Sequence, residues 1–199
     1  MDESVIRAMA KWPNVPAVYG WLELDRRGNW LIKGERIGNP AVIDFIGRNY
    51  ACDERGRWFF QNGPQRVFVR LAYLPFVLRT AGGNAFRLVA HTGQALEHAS
   101  GAWLDENGVL IVRWAAGVGA VIDRDLGEVS KHFTDSLGRP VSDEELAKAL
   151  EAESIRRRAG FWFDYGGERL PVGRMRSDQA PQKFGFYADP RPAPGEPEC

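Results

Sequence analysis

The dipeptide Asn62-Gly63 separates two runs rich in aromatic and β-branched residues, 57–61 and 64–71. Asn-Gly accepts a positive φ at both central positions of a type I′ turn, so this pattern predicts a β-hairpin with a two-residue loop. In that register Gln61 lies opposite Pro64. The hairpin is the strongest local constraint on the fold, because it fixes which side chains share each face of a sheet.

Alternation gives the predicted hairpin a core face and an outer face. The core face carries Trp58, Phe60, Val67, Val69 and Leu71. The outer face carries Phe59, Arg66, Phe68 and Arg70, and Arg57 completes the set that we predict to bind a ligand. Guanidinium groups hold carboxylates or phosphates with two parallel hydrogen bonds, and aromatic rings stack on planar groups. This face therefore suits a planar or anionic ligand.

The rest of the chain predicts an α+β protein without an internal repeat. A short helix over 4–12, capped by Ser4, precedes strands at 17–24 and 30–37, and Asn39-Pro40 begins a second helix. Short strands separated by turn residues follow and predict a mainly antiparallel, barrel-like part. Ser142 and Glu145 form a capping box that begins a helix over 142–158. We expect three segments: an N-terminal α+β part (1–65), the barrel-like part with that helix (66–175), and a flexible, proline-rich tail (176–199).

Charge is balanced over the whole chain, with 26 basic and 26 acidic residues, but it is unevenly distributed. Residues 55–96 contain six arginines and no acidic residue, whereas 105–153 carry a net charge of −6. We consider three interpretations: the arginine face pairs with the acidic stretch of its own chain, it binds an anion, or it contacts nucleic acid. The first is the ordinary design of a protein surface, and no nucleic-acid-binding motif supports the third.

Residues that could carry catalysis or bind a metal are sparse. Cys52 and Cys199 are far apart in the sequence and suggest neither a disulfide framework nor a metal motif. The three histidines, His91, His98 and His132, lack a further ligand at metal-binding spacing. We therefore predict no metal, no cofactor and no catalytic residue. The acidic N-terminus and the absence of a long apolar run predict a cytoplasmic protein with no membrane span.

Two stretches resemble a known family. The first runs from Leu24-Asp25-Arg26-Arg27-Gly28-Asn29-Trp30 to Ile37-Gly38-Asn39-Pro40. The second runs from Gly56-Arg57-Trp58-Phe59-Phe60-Gln61-Asn62-Gly63-Pro64-Gln65-Arg66-Val67-Phe68-Val69 to Leu74-Pro75-Phe76-Val77. Together they resemble a bacterial family of uncharacterised conserved proteins. The layout is similar to that of a second uncharacterised family, in which a small α+β layer precedes a β-barrel like a pleckstrin-homology domain. The resemblance covers about residues 17–125 and implies a fold, but no activity and no catalytic residue.

The function predicted from these observations is that of a non-enzymatic binding or regulatory protein that recognises a protein or a small anionic ligand. The alternative is an enzyme whose site lies between the two parts and uses His91, His98 or His132 as a base. RNA contact through the arginine stretch is a third possibility. The sequence does not predict an oligomeric state.

Overall fold

The protein is an α+β protein whose computed structural model describes residues 1–13, 15–82, 85–151 and 158–192. Its chain divides into two compact units. The first comprises residues 1–75, 91–93 and the described part of the C-terminal segment from 181. The second comprises residues 76–90 and 94–180. The boundary predicted at 65/66 falls inside the second strand of the Asn-Gly hairpin, whereas the units divide after Pro75.

The first unit contains a six-stranded mixed sheet. Its strands are β1 (Val18–Leu24), β2 (Trp30–Ile32), β3 (Glu35–Arg36), β4 (Tyr50–Cys52), β5 (Trp58–Asn62) and β6 (Gln65–Leu71), in the order β3-β2-β1-β6-β5-β4. The central pair, β1 and β6, is parallel, and the other pairs are antiparallel. Helices α1 (Glu3–Lys11) and α2 (Pro40–Arg48) belong to this unit. Trp30 and Ile46 are almost fully buried in its core.

The β5–β6 hairpin forms, but its predicted register and turn are wrong. Asn62 pairs with Gln65, so the two-residue loop is Gly63-Pro64. Gly63 has φ +56°, whereas the proline ring locks Pro64 near φ −65°, a combination that fits a type II′ turn and excludes type I′. The new register differs from the predicted one by an even number of residues. Every side chain therefore stays on its predicted face.

Among its described residues, the second unit contains a curled sheet of eight strands and two further helices. The strands are β7 (Phe76–Thr80), β8 (Leu88–Ala90), β9 (Ala99–Leu104), β10 (Leu110–Trp114), β11 (Gly117–Val121), β12 (Phe133–Thr134), β13 (Arg158–Tyr165) and β14 (Glu168–Arg174), in the order β12-β13-β14-β9-β10-β11-β7-β8. The helices are α3 (Leu126–Val129) and α4 (Asp143–Glu151). The pairs β9/β14 and β7/β11 are parallel, so this sheet is mixed, whereas the sequence predicted a mainly antiparallel one.

Two of the three predicted helix N-caps form, those at Asn39 and Ser142. The Asn39 side chain accepts a hydrogen bond from the Ala41 amide at 2.9 Å. Ser142 and Glu145 form the predicted capping box, with the Glu145 carboxylate 2.9 Å from the Ser142 amide. The first helix instead begins after Asp2, and Ser4 lies inside it. The end of the predicted helix 142–158 also differs, because Arg158 belongs to β13; residues 152–157 lie outside the described ranges.

One five-residue loop, Asp-x-x-Gly-x, occurs four times between antiparallel neighbours, a repeat that the sequence analysis missed. The four aspartate loops are 25–29, 53–57, 105–109 and 135–139, and the residues that flank each loop pair with one another. In each loop one aspartate oxygen accepts the amides of the third and fifth residues at 2.7–3.0 Å. Each glycine has φ between +77° and +83°. The loop therefore needs aspartate at its first position, as the acceptor, and glycine at its fourth, where φ is positive.

The C-terminal segment contains a short helix, α5 (Ala180–Phe184). The residues after it form backbone hydrogen bonds with β6 and with the 53–57 loop. Phe186 is buried, and the Leu71 amide donates to the Ala188 carbonyl at 2.7 Å. The Tyr187 amide donates to the Gly56 carbonyl at 3.1 Å. Flexibility of 176–199 stays a prediction, and these contacts give it a direct test. No described helix is long and apolar enough to cross a membrane.

We expect Asp105→Ala to lower the free energy of unfolding by about 2–3 kcal/mol, because two amides in a buried loop lose a charged acceptor. The Asp105 side chain is only 1% exposed. The comparison variant Asp135→Ala removes the two equivalent hydrogen bonds and an exposed ion pair with Arg139 from a loop where water replaces the acceptor, so its loss should be smaller. Urea denaturation followed by tryptophan fluorescence measures both. Equal losses would show that burial does not set the cost.

Gly56→Ala should expose the C-terminal segment to protease. A Cβ at Gly56 would lie 2.2 Å from the Gly185 carbonyl oxygen, too close for any contact. Gly34→Ala is the control, because Gly34 has nearly the same φ, +85° against +83°, but its added Cβ meets open space. Trypsin should cleave after Lys183 several times faster in Gly56→Ala than in the wild type or Gly34→Ala. Equally fast cleavage of the wild type would show that the tail is flexible, as its composition suggests.

Candidate functional site

The outer face of the β5–β6 hairpin brings the five predicted ligand-binding residues together. We call it the arginine face and define it by Arg57, Phe59, Arg66, Phe68 and Arg70. Phe59 pairs with Phe68 across the two strands, and Gln61 pairs with Arg66. Side chains at alternate positions of paired strands lie on one side of the sheet, so these residues form a continuous surface.

Three aromatic rings form the floor of this surface. Phe68 stacks on Tyr19 with ring centroids 4.6 Å apart, and Phe59 meets Phe68 edge-on at 5.8 Å. All three side chains are at most 5% exposed. Phe59 and Phe68 are therefore buried beneath the guanidinium groups of Arg66 and Arg57.

Arg57 is held in place by an aspartate loop. Its Nε donates to the Asp53 carboxylate at 2.8 Å, and both side chains are 11% exposed. Its guanidinium also lies 4.6 Å from the centre of the Phe68 ring and 3.3 Å from the Tyr19 hydroxyl. The same loop that turns the chain from β4 to β5 thus positions this cation over the aromatic floor. Arg57 is a structural element of the site.

Arg70 is neutralised across the parallel pair of strands. It lies directly opposite Glu23 of β1, and its guanidinium forms an ion pair with the Glu23 carboxylate. The pair is solvent-exposed on the arginine side, so its contribution to stability is small. The partners of Arg57 and Arg70 are thus Asp53 and Glu23, and both lie outside the acidic stretch 105–153.

Arg66 is exposed on this face, as Arg70 is. Its guanidinium lies 4.8 Å from the centre of the Phe59 ring. Within the described residues, no carboxylate forms an ion pair with it, in contrast to Arg57 and Arg70. Arg66 also lines two open hollows, one of about 430 Å³ on the side of the 53–57 loop and one of about 410 Å³ beside Trp12. It is the cation of this face that is available to an anion.

Four residues of the site were missed by sequence reasoning. They are Trp12, Tyr19, Asp53 and Gln61. The recurrence of Asp-x-x-Gly-x could have suggested Asp53 as a loop acceptor with Arg57 as its partner, although the same pattern also occurs in α2 at 44–48 and between β13 and β14 at 164–168. Gln61 lies directly opposite Arg66 only in the observed register, because the predicted type I′ turn placed it opposite Pro64.

The three histidines have different surroundings. His91 packs against the rings of Trp30 and Tyr50 at 5.1 and 5.8 Å, and His132 stacks on Phe86 at 3.7 Å. Burial lowers the pKa of His132 below its usual value. His98 is exposed. In the described ranges, no group of three His, Cys, Asp or Glu side chains is placed to hold a metal ion.

Cys52 lines the hollow beside the 53–57 loop, and its pKa makes it a poor nucleophile. Partial burial of the thiol, together with the neighbouring Asp53 carboxylate, raises the pKa of Cys52 from 9.0 to about 11. A thiol reacts as the thiolate, so raising the pKa by two units lowers the reactive fraction at pH 8 about 100-fold.

Alkylation of Cys52 by iodoacetamide should therefore be about 100 times slower at pH 8 than alkylation of an ordinary thiol. The experiment uses a Cys199→Ser background, so that Cys52 is the only thiol. The rate should increase up to about pH 11, and unfolding the protein in urea should restore ordinary reactivity. A folded-state rate that levels off near pH 9 would contradict the assignment.

Comparison with known proteins gives a family and a fold. A comparison with curated proteins finds no match. One solved structure, a DUF1285 family protein from Silicibacter pomeroyi DSS-3, is similar over 80% of this chain and 84% of its own, at 16% identity and a TM-score of 0.54. A DUF1285 family protein from Shewanella baltica OS155 matches 52% of this chain and 85% of its own, at 12% identity and a TM-score of 0.41. At such identities the first likeness concerns the fold alone.

The family evidence covers nearly the whole chain. The family model described as "Protein of unknown function (DUF2946)" matches residues 1–191, which include both compact units and the whole arginine face. This chain therefore belongs to the family of proteins of unknown function that carries that description.

Proposed function

We propose that this protein is a non-enzymatic binding or regulatory protein that recognises a small anionic ligand through Arg66. The observation that carries the proposal is the difference between the three arginines of one face. Arg57 and Arg70 are ion-paired within the first unit, whereas Arg66 is exposed beside two hollows. A guanidinium on a rigid strand, stacked on a buried ring, has already lost much of its side-chain freedom. It therefore binds a carboxylate or phosphate at a lower entropic cost.

This arrangement favours a small ligand over nucleic acid. Binding to RNA or DNA depends on several cations that each neutralise a phosphate. On this face the charges of Arg57 and Arg70 are already balanced by Asp53 and Glu23. One available guanidinium suits one anionic group. The histidine-based enzyme remains the second candidate, with less support, because His91 and His132 are both engaged in aromatic packing.

Two further proposals concern fold type and location. The likeness of the chain to a pleckstrin-homology-like layout is supported by the order of a small α+β unit and then a curled eight-stranded sheet. A cytoplasmic location is supported by the low cysteine content.

Titration with simple anions tests the function. The probes are sodium acetate and sodium phosphate, added at constant ionic strength to protein with ¹⁵N-labelled arginine. The Arg66 Nε resonance should shift saturably, while that of Arg70 should change little. Arg66→Gln should weaken anion binding at least tenfold, because a charge-assisted contact contributes about 1.5–3 kcal/mol.

The control is Arg70→Gln, which removes one positive charge from the same face and the same strand but from a guanidinium that is already paired. It should retain the affinity of the wild type. Equal loss in both variants would show that the anion responds only to the general charge of the surface. A non-saturable shift of Arg66 in the wild type would refute the proposed function.

A further inference from the structure

One open hollow in the second unit is built almost entirely from the acidic stretch 105–153. Its lining residues all lie between positions 104 and 146, and its volume is about 290 Å³. Ligand pockets in proteins measure roughly 300–1,000 Å³, so this hollow suits a small ligand. We call it the leucine hollow and define it by its four leucines, Leu104, Leu110, Leu126 and Leu146, together with Phe133 and Asp143.

The leucine hollow has an apolar floor and a partly exposed apolar rim. Leu104 and Leu110 lie directly opposite each other on β9 and β10, and both are at most 5% exposed. Phe133 of β12 is buried beside them. Leu126 of α3 and Leu146 of α4 are only partly buried, so a ligand in the hollow can reach both side chains. A concave, accessible apolar surface of this kind is typical of a ligand site.

Asp143 supplies the carboxylate of the leucine hollow. It lies in the first turn of α4 and is exposed, and within the part of the chain that the structure describes it has no ion-pair partner. Other carboxylates of the acidic stretch are paired, Glu128 with Lys131 and Asp135 with Arg139. A cation whose apolar part enters the hollow can therefore reach an available carboxylate at the rim.

We propose that the leucine hollow binds a small hydrophobic amine, whose alkyl chain packs on Leu126 and Leu146 and whose ammonium group pairs with Asp143. The net charge of −6 over residues 105–153 attracts cations and disfavours carboxylates. A neutral apolar ligand would use the same floor but would gain nothing from Asp143. The site lies in the second unit and takes a ligand of opposite charge, so it is independent of the function proposed for Arg66.

Titration of protein with ¹³C-labelled leucine methyl groups against hexylamine, 1-hexanol and hexanoate tests the inference at pH 7, where the amine is protonated. Hexylamine should shift the Leu126 and Leu146 resonances saturably, but not that of Leu137, which is 74% exposed and lies outside the hollow. It should bind about two- to fivefold more tightly than hexanol, as expected of an exposed ion pair, and hexanoate should bind most weakly. Equal affinity for hexylamine and hexanol, or no saturable shift, would overturn the inference.

Asp143→Asn separates the ion pair from the general charge of the surface. It should lower the affinity for hexylamine to about that for hexanol and leave the affinity for hexanol unchanged, which shows that the hollow is still formed. The control is Glu144→Gln, which removes the same charge from the next residue of α4, an exposed acid that does not line the hollow. It should retain the wild-type affinity. Equal weakening in both variants would show that the amine responds only to net charge, and the inference would fail.

The length of the alkyl chain tests the apolar contacts. Affinity should rise about fourfold for each methylene that becomes buried between butylamine and hexylamine. Leu126→Asn should reduce this rise, whereas Leu137→Asn should leave it intact. An affinity independent of chain length, or a full rise in Leu126→Asn, would overturn the inference. Shifts of the Leu126 and Leu146 resonances when the ligand-free protein is diluted would show that a second copy covers the hollow, and would overturn it as well.

Discussion

The carboxylate of the first residue of each aspartate loop is the interaction on which much of the structure depends. Four such loops connect antiparallel neighbours, two in each compact unit, and in all of them one oxygen accepts two backbone amides. In the loops that end in arginine, the second oxygen binds the arginine Nε. The hydrogen bond from Arg139 is the main cause that lowers the pKa of Asp135 to about 2. One aspartate carboxylate thus both holds the turn and positions an arginine, as in the pairs Asp53/Arg57 and Asp135/Arg139.

Ion pairing of this kind explains why the arginine face carries fewer free positive charges than its number of arginines suggests. The excess of +6 over residues 55–96 suggests a broad positive field. The structure balances Arg57 through its own loop and Arg70 through a cross-strand glutamate. Local pairing leaves Arg66 on this face as the exposed cation without a carboxylate partner among the described residues. A net charge summed along the sequence therefore overstates the number of cations that a ligand can use.

Local chemistry predicted the α+β class, the helix that follows Asn39, the capping box at Ser142 and several strands. It also predicted which residues share the arginine face, because a register error of an even number of residues preserves side-chain alternation. It did not predict the parallel pair of β1 and β6 or the return of the C-terminal segment. Those contacts join residues that are distant in the sequence, and their energies depend on burial that no local pattern records. The burial of Gln61 was missed for the same reason.

The register error bears directly on the candidate site. In a type I′ turn at Asn62-Gly63, Gln61 would lie opposite Pro64, which has no amide hydrogen and no polar side chain. Because the ring of Pro64 fixes its φ, the loop moves one residue along the chain, and Gln61 comes to lie opposite Arg66. That shift places a buried acceptor beside the available guanidinium. One proline therefore determines both the turn and the pairing of Gln61 with Arg66.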